Sequence, residues 1–345
     1  MATLRQASHR RFAVGDHAAV GALRRLVSDQ AGRLSGTPEG CARAQLVAAE
    51  LAANLVLHAD PGGWVLMRPL PPAGIELIAV DQGPGIADPA AAVAGRSQAP
   101  KGLGCGLAAV RRACSHFDLH SELGRGTTVL AVVDLAAPGH QPRGQPPRRC
   151  GGVSVGITEP CGDAWAVAPC GPGTAVAVVD GLGHGTGASA AADAAVEGFA
   201  AALGDPGGFL ATANKAMLGT RGAAATMCLL DPDRETLRYV AAGNVNGCVL
   251  AGPARYRLIT SGATLGLREA TPPVPVRTCP WPPQATLVLW SDGLHSHTAA
   301  QPLGTGLLAR DPAVVAATLY RDHTRGSDDA TVVVIRNAER HEPRG

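Results

Sequence analysis

The sequence predicts an α/β (α+β) protein of two domains, and three observations carry that prediction. The chain has 345 residues, and domains of about 100–200 residues make two the natural count. Residues 137–149 are rich in Pro, Gly and Arg without apolar periodicity. That composition marks a linker between one domain over 1–136 and another over 150–345. On both sides of it, helix-period and strand-period patterns alternate.

Residues 41–58, CARAQLVAAELAANLVLH, set Leu46, Val47, Leu51 and Leu55 at helical spacing. Strand-like runs follow at 64–67 and 75–80, then a Gly-punctuated stretch, a helix around 107–114 and a strand over 127–134. Residues 173–179 open the second half as a strand, and an Ala-rich helix covers 188–203. Residues 225–230 and 236–241 read as a hairpin around DPDRE. Further strands are expected at 285–290 and 330–335.

Composition narrows the function classes. Hydrophobic residues make up 46%, enough for packed cores, while aromatics are only 3%. A formal net charge of +2 excludes a strongly basic nucleic-acid surface as the leading reading. The cations are Arg apart from Lys101 and Lys215. No apolar run reaches the roughly 20 residues of a membrane span, and the first residues lack the apolar core of a signal peptide. A cytoplasmic location is therefore expected. The nine Cys form no C-x-x-C pair, which favours reduced thiols over a zinc or disulfide framework.

In the first half, Glu50 and Asn54 lie four apart and share a helix face. A solvated face explains such a pair; a general base beside a neutral oxygen for Mg²⁺ explains it equally. The strand at 75–80 runs into Asp81-Gln82-Gly83-Pro84-Gly85-Ile86. This reads as an ordinary turn, or as an acceptor for an exocyclic amine with glycines letting backbone approach a flat ring. Gly102-Leu103-Gly104-Cys105-Gly106-Leu107 opens a helix, where backbone N–H groups are free to meet phosphate. Lys101 beside it is a solvated loop residue or an added charge.

In the second half, carboxylates recur at the ends of apolar strands. Asp163 lies in CGDAW, Asp180 ends AVAVVD before Gly181-Leu182-Gly183-His184-Gly185, Asp292 follows LVLWS, and Asp328 and Asp329 precede ATVVVI. Any one D-G pair is readily a turn. Several such ends in one sheet arrangement converge into an oxygen-only ligand set suited to Mg²⁺ or Mn²⁺.

The ordered run E-x-x-x-N, D-x-G-P-G-I, G-x-G-x-G-L and Gly124-Arg125-Gly126-Thr127-Thr128 resembles the GHKL (Bergerat) ATP-binding fold over about residues 10–135. It looks most like the small switch kinases of the bacterial general stress response, which phosphorylate Ser or Thr on STAS-domain proteins. The resemblance implies Glu50 as catalytic base, Asn54 as a holder of Mg²⁺ and Asp81 on adenine N6. It further implies Gly83 and Gly85 beside the ring, Gly102, Gly104 and Gly106 along the phosphates, and Thr127 near the adenine pocket.

The pattern D-G-x-G-H-G, S-D-G-L and D-D-A-T resembles PPM-type metal-dependent Ser/Thr phosphatases of the stage II sporulation protein E branch, with an αββα sandwich, over about residues 150–337. That resemblance implies two Mn²⁺ or Mg²⁺ held by Asp180, the Gly181 carbonyl, Asp292 and Asp328, with Asp163 acting at metal-bound water. Asp329 takes a supporting position, and His184 borders the site. His295 and His297 are expected at the surface. The Arg that binds substrate phosphate in the eukaryotic branch has no counterpart upstream.

Together the resemblances imply a kinase and an opposing phosphatase in one chain, acting on STAS-domain regulators and so tuning an alternative sigma factor, with a downstream phosphatase or anti-sigma component as a further partner. A first half that only binds ATP or a partner is the alternative, and a scaffold with both sites dead is a third.

Overall fold

The N-terminal helices start where the sequence supplies caps. A computed structural model of the chain describes residues 5–96, 103–136, 148–299 and 303–337. The chain divides into two compact units, one of His9–Pro147 with Thr305–Arg321, the other of Met1–Ser8, Arg148–Gly304 and Asp322–Gly345. This differs from the expected division at 137–149, because residues 305–321 group with the N-terminal unit. A local reading of the sequence registers composition along the chain and not a return of the chain after the long stretch 148–304.

The N-terminal unit contains β1 (Arg10–Val14), α1 (His17–Arg33), α2 (Pro38–His58), β2 (Gly63–Leu70), β3 (Gly74–Asp81), α3 (Pro89–Val93), α4 (Leu103–Ala113), β4 (His116–Glu122) and β5 (Gly126–Asp134). Asp16 caps α1 by accepting from the Ala19 amide. Thr37 caps α2 by accepting from the Gly40 amide, and Pro38 follows at the first turn, where its missing N–H is harmless. The strands form an antiparallel sheet in the order β1-β2-β3-β5-β4. Val65, Met67, Ile75, Leu77, Ala79, Val129, Ala131 and Val133 project from one face into a core shared with Leu23, Val27, Val47, Leu51 and Leu55 of the helices. Alternate residues Leu66, Ile78, Val80, Thr128 and Leu130 are also buried, so the opposite face is covered as well.

The C-terminal unit contains β6 (Cys150–Val155), β7 (Asp163–Cys170), β8 (Gly173–Gly181), α5 (Thr186–Ala201), α6 (Pro206–Ala216), β9 (Ala223–Asp231), β10 (Thr236–Ala242), β11 (Asn246–Ala251), β12 (Ala254–Arg257), β13 (Arg277–Pro280), β14 (Thr286–Trp290) and β15 (Ala330–Arg336). Between β14 and β15 run α7 (Thr305–Leu308) and α8 (Pro312–His323). Two five-stranded sheets result, β13-β10-β9-β8-β7 and β12-β11-β14-β15-β6. Trp165, Val176 and Val178 of the first meet Val249, Leu287, Leu289 and Val333 of the second in one core. A second core, rich in Ala, joins the outer face of the first sheet to α5 and α6. The expected hairpin is present, with Leu230 opposite Leu237. The eight cysteines other than Cys105 are free thiols. Among the described residues no helix is long and apolar enough to cross a membrane.

Candidate functional sites

In the N-terminal unit a cavity of about 750 Å³ opens between α2 and the sheet. Of the expected residues, Asn54, Asp81, Gly85 and Thr127 line it. Asp81 ends β3, where its Oδ1 accepts from the Gly83 amide at 2.8 Å and the Thr127 amide at 3.2 Å. Both bonds go to one oxygen, leaving Oδ2 for a ligand. Burial raises the Asp81 carboxyl above its ordinary value; the two amides and the Arg321 guanidinium act against that shift. Arg321 also donates to the Asp81 carbonyl at 3.1 Å.

Glycines set the shape of this wall. Gly85 has φ +75°, and a Cβ on it would stand 2.4 Å from the Glu122 carbonyl. Gly83 lies against the end of α2 rather than in the cavity lining, 3.0 Å from Ala59 Cα at its Cβ position. Thr127 is tied by its hydroxyl to Ser121 at 2.9 Å.

Glu50 and Asn54 do share a face, and α4 crosses it at Gly106. A Cβ there would stand 2.9 Å from Glu50 Oε2 and 3.3 Å from Asn54 Oδ1. Gly104 and Gly106 thus lie inside α4 instead of in a loop before it, a difference from the expected helix start. Gly102 and Lys101 fall outside the described residues. The Asn54 amide nitrogen is buried without a hydrogen-bond partner. One further turn along α2, His58 also lines the cavity, its Nε2 buried and unpartnered, and burial lowers its pKa. The i, i+4, i+8 spacing of Glu50, Asn54 and His58 was the sequence signal for that third residue. An open cavity, a free carboxylate oxygen and an unpartnered amide together fit a nucleotide.

In the C-terminal unit the β7–β8 register places Asp163 directly opposite Asp180. Asp292 follows β14 and Asp328 precedes β15, adjacent strands of the second sheet. Gly293 makes this junction tight, since a Cβ on it would stand 2.0 Å from the Asp329 carbonyl. Burial raises the Asp180 carboxyl, and Asp163, Asp292 and Asp328 raise it further. Its Oδ2 is buried and unpartnered. Burial likewise raises Asp163, against the bond its Oδ2 accepts from Ser291 Oγ at 2.7 Å. Ser291 Oγ in turn accepts from the Thr331 amide at 2.9 Å.

Asn244 Nδ2 donates to Asp292 Oδ2 at 2.6 Å. Asp329 is committed to backbone, accepting from Ile157 at 2.7 Å and Gly162 at 2.6 Å. Gly181 bonds the Gly162 carbonyl through its own amide at 3.2 Å. His295 and His297 are exposed, and their rings stack at 5.3 Å. As they stand, no three His, Cys, Asp or Glu side chains among the described residues close into a metal site. The mutual repulsion around Asp180 and its orphaned oxygen are nevertheless what a divalent cation relieves, and the all-oxygen donor set fits Mg²⁺ or Mn²⁺. Ser291 and Asn244, which bond Asp163 and Asp292, were not singled out by sequence reasoning; S-D-G-L carried Ser291 as a motif letter only.

Residues 171–338 match the family described as Stage II sporulation protein E, and they form a SpoIIE-type PPM phosphatase domain. Through its N-terminal part the chain belongs to the family of the serine/threonine-protein kinase RsbT of Bacillus subtilis (strain 168). The two are 37% identical over 93 residues, which is 26% of this chain and 70% of RsbT. Among solved structures, one described as "The bacterial stressosome: a modular system that has been adapted to control secondary messenger signaling" is 23% identical. It covers 55% of this chain and 98% of its own, with a TM-score of 0.50, and so shares the fold of the part it covers. RsbX in complex with magnesium is 20% identical, covering 54% of this chain and 92% of its own at a TM-score of 0.46.

Proposed function

We propose that the chain is a cytoplasmic partner-switching regulator that both adds and removes phosphate on Ser or Thr of STAS-domain proteins. The observation that supports the removing activity is Asp163 directly opposite Asp180, whose Oδ2 is buried and unpartnered, with the charges of Asp292 and Asp328 acting on the same carboxyl. Asp180, the Gly181 carbonyl, Asp292 and Asp328 would hold two Mn²⁺ or Mg²⁺. Bound there, the cations would supply Lewis acidity and activate a water at neutral pH. The chain's own groups set the geometry. Asn244 aims Asp292, Asp329 pins the loop carrying Gly162, and Ser291 fixes Asp163 so that its carboxyl can hold or release a proton at the attacking water.

The adding activity rests on the cavity of the N-terminal unit, a GHKL-type site in this reading. Asp81 Oδ2 would accept from the adenine amine, Thr127 and Gly85 would shape the ring pocket, and Asn54 would help hold Mg²⁺ on ATP; Asn54, Asp81, Gly85 and Thr127 line the cavity. Glu50 takes the proton from the substrate hydroxyl. One observation favours a binding-only N-terminal unit as the second reading: Glu50 faces Gly106 and is not part of the cavity lining.

Phosphotransfer from ATP to a STAS-domain protein of the same genome separates these readings. Wild type is run beside Asp292→Asn with both metals present. Phosphoprotein accumulating only with Asp292→Asn means that both halves act and oppose each other. None with either protein, while wild type strips a pre-phosphorylated substrate, leaves the N-terminal unit as a nucleotide-binding module.

A further inference from the structure

A carboxylate cluster repels a phosphoester, so a phosphatase site of this kind gains from a cation for the substrate. Arg221 stands at the entry to β9. The register pairing Gly181 with Ala223 carries the residues just before Ala223 alongside the glycine loop that follows Asp180. The Leu182 amide secures that approach, donating to the Gly222 carbonyl at 3.0 Å.

Gly183 of the loop and Gly187 in the first turn of α5 make room for the guanidinium. A Cβ on Gly187 would stand 2.6 Å from Arg221 Nε and 3.0 Å from its Cζ, and one on Gly183 would stand 3.2 Å from Nη1. Gly183 also faces the acidic cluster. Its carbonyl lies 3.2 Å from the Cβ position of Gly162, a point 2.7 Å from Asp329 Oδ2. Gly183 thus lies between the guanidinium and the Gly162 turn that Asp329 holds. Arg221 is exposed and forms no hydrogen bond or ion pair among the described residues. Its planar fork of N–H donors, held against the glycines that follow Asp180 and unspent, matches a phosphate dianion.

We propose that Arg221 binds the phosphate of the phosphoprotein substrate, with Gly183 and Gly187 kept bare of side chains to seat it. The proposal rests on the phosphatase reading and places the substrate's cation in the turn before β9. Arg221 holds non-reacting phosphate oxygens and takes no part in proton transfer.

The test compares wild type, Arg221→Ala, Arg221→Lys and Gly187→Ala at saturating Mn²⁺, with a phosphoserine peptide as substrate and inorganic phosphate as inhibitor. Arg221→Ala is expected to raise KM and weaken phosphate inhibition by about 10- to 100-fold, the size of a lost charge-assisted bond, with kcat retained within about threefold. Arg221→Lys recovers part of the loss. Gly187→Ala displaces the guanidinium and behaves like Arg221→Ala, and combining the two adds nothing further. Mn²⁺ affinity and thermal stability stay at wild-type values. An unchanged KM and phosphate inhibition in Arg221→Ala overturns the proposal, as does a fall in Mn²⁺ affinity and stability that accounts for the loss. If wild type hydrolyses nothing, the phosphatase reading fails by itself. Calorimetric titration of the Mn²⁺-loaded proteins with inorganic phosphate then decides for Arg221: weaker binding in the Ala variant supports its role, equal binding overturns it.

Discussion

Single side chains already divide the labour at both sites. Ser291 is fully buried and connects the Thr331 amide to Asp163. Ser291→Ala removes a donor from a buried carboxylate and an acceptor from a buried amide, each costing about 1–3 kcal/mol when left unmet. Phosphoserine hydrolysis by that variant should show a kcat reduced about tenfold or more, with Mn²⁺ affinity far less affected; an unchanged kcat removes Ser291 from the positioning of Asp163. Asp81 supports a pH prediction. Burial raises its pKa, so it takes up its proton at a higher pH than an ordinary carboxylate. Only the ionised form offers Oδ2 as a full acceptor to an exocyclic amine. ATP affinity should therefore hold steady at neutral pH and decline on acidification, starting above the ordinary Asp range. In Asp81→Asn, binding is weak and that pH dependence is absent. Isothermal titration with ATP across pH 4–8 checks both statements.

Between elements, close approach decides what the side chains can do. Helix α4 reaches α2 at Gly106, so Gly106→Ala places a methyl against Glu50 and Asn54. Fluorescent-nucleotide titration should show affinity lowered about tenfold, with fold stability changed by no more than about 1–3 kcal/mol, the cost of modest overpacking. On the other sheet face, β2 and β3 pair Arg68 with Glu76, where Arg68 Nε donates to Glu76 Oε1 at 2.6 Å and His9 Nε2 lies 3.2 Å from the same oxygen. All three residues are buried. Glu76→Ala strands a buried guanidinium and should cost about 3–5 kcal/mol in urea unfolding.

These elements also show what the sequence revealed. The α2 pattern, the strands ending at Asp81, Asp180 and Asp292, and the face shared by Glu50 and Asn54 were legible because each is periodic or local. Helix α1 was not, since Arg24 and Arg25 interrupt its thin line of Leu23, Val27 and Ala31. Nor was β7, whose small buried Ala residues lack a clear alternation. Arg221 and Asn244 are read only from register, a property of paired strands rather than of one segment.

At the scale of the whole chain, α8 changes what counts as a domain. It lies in sequence between Asp292 and Asp328, yet residues 305–321 group with the N-terminal unit. Within that unit Thr318 Oγ1 donates to Thr128 Oγ1 at 3.0 Å and Arg321 reaches the Asp81 carbonyl. At the start of the helix Asp311 meets His116 at 2.8 Å and accepts the Ala313 amide as a cap. Thr128 shares its sheet face with Leu66, Ile78, Val80 and Leu130, all fully buried. The helix thus covers the face that α1, α2 and α4 leave open. A fragment of residues 9–147 alone exposes that face, and each large apolar side chain uncovered forfeits about 1.5–3 kcal/mol. It should bind a hydrophobic dye, unfold at a lower temperature than the full chain and bind ATP poorly. Fusing residues 303–323 to its end through a flexible Gly/Ser linker should restore a cooperative transition and ATP binding. Equal stability with and without the fused helix would mean that the N-terminal sheet is complete by itself. Restoration would mean that the phosphatase half of the sequence supplies a structural part of the nucleotide site, through the same segment whose last residue, Arg321, touches Asp81.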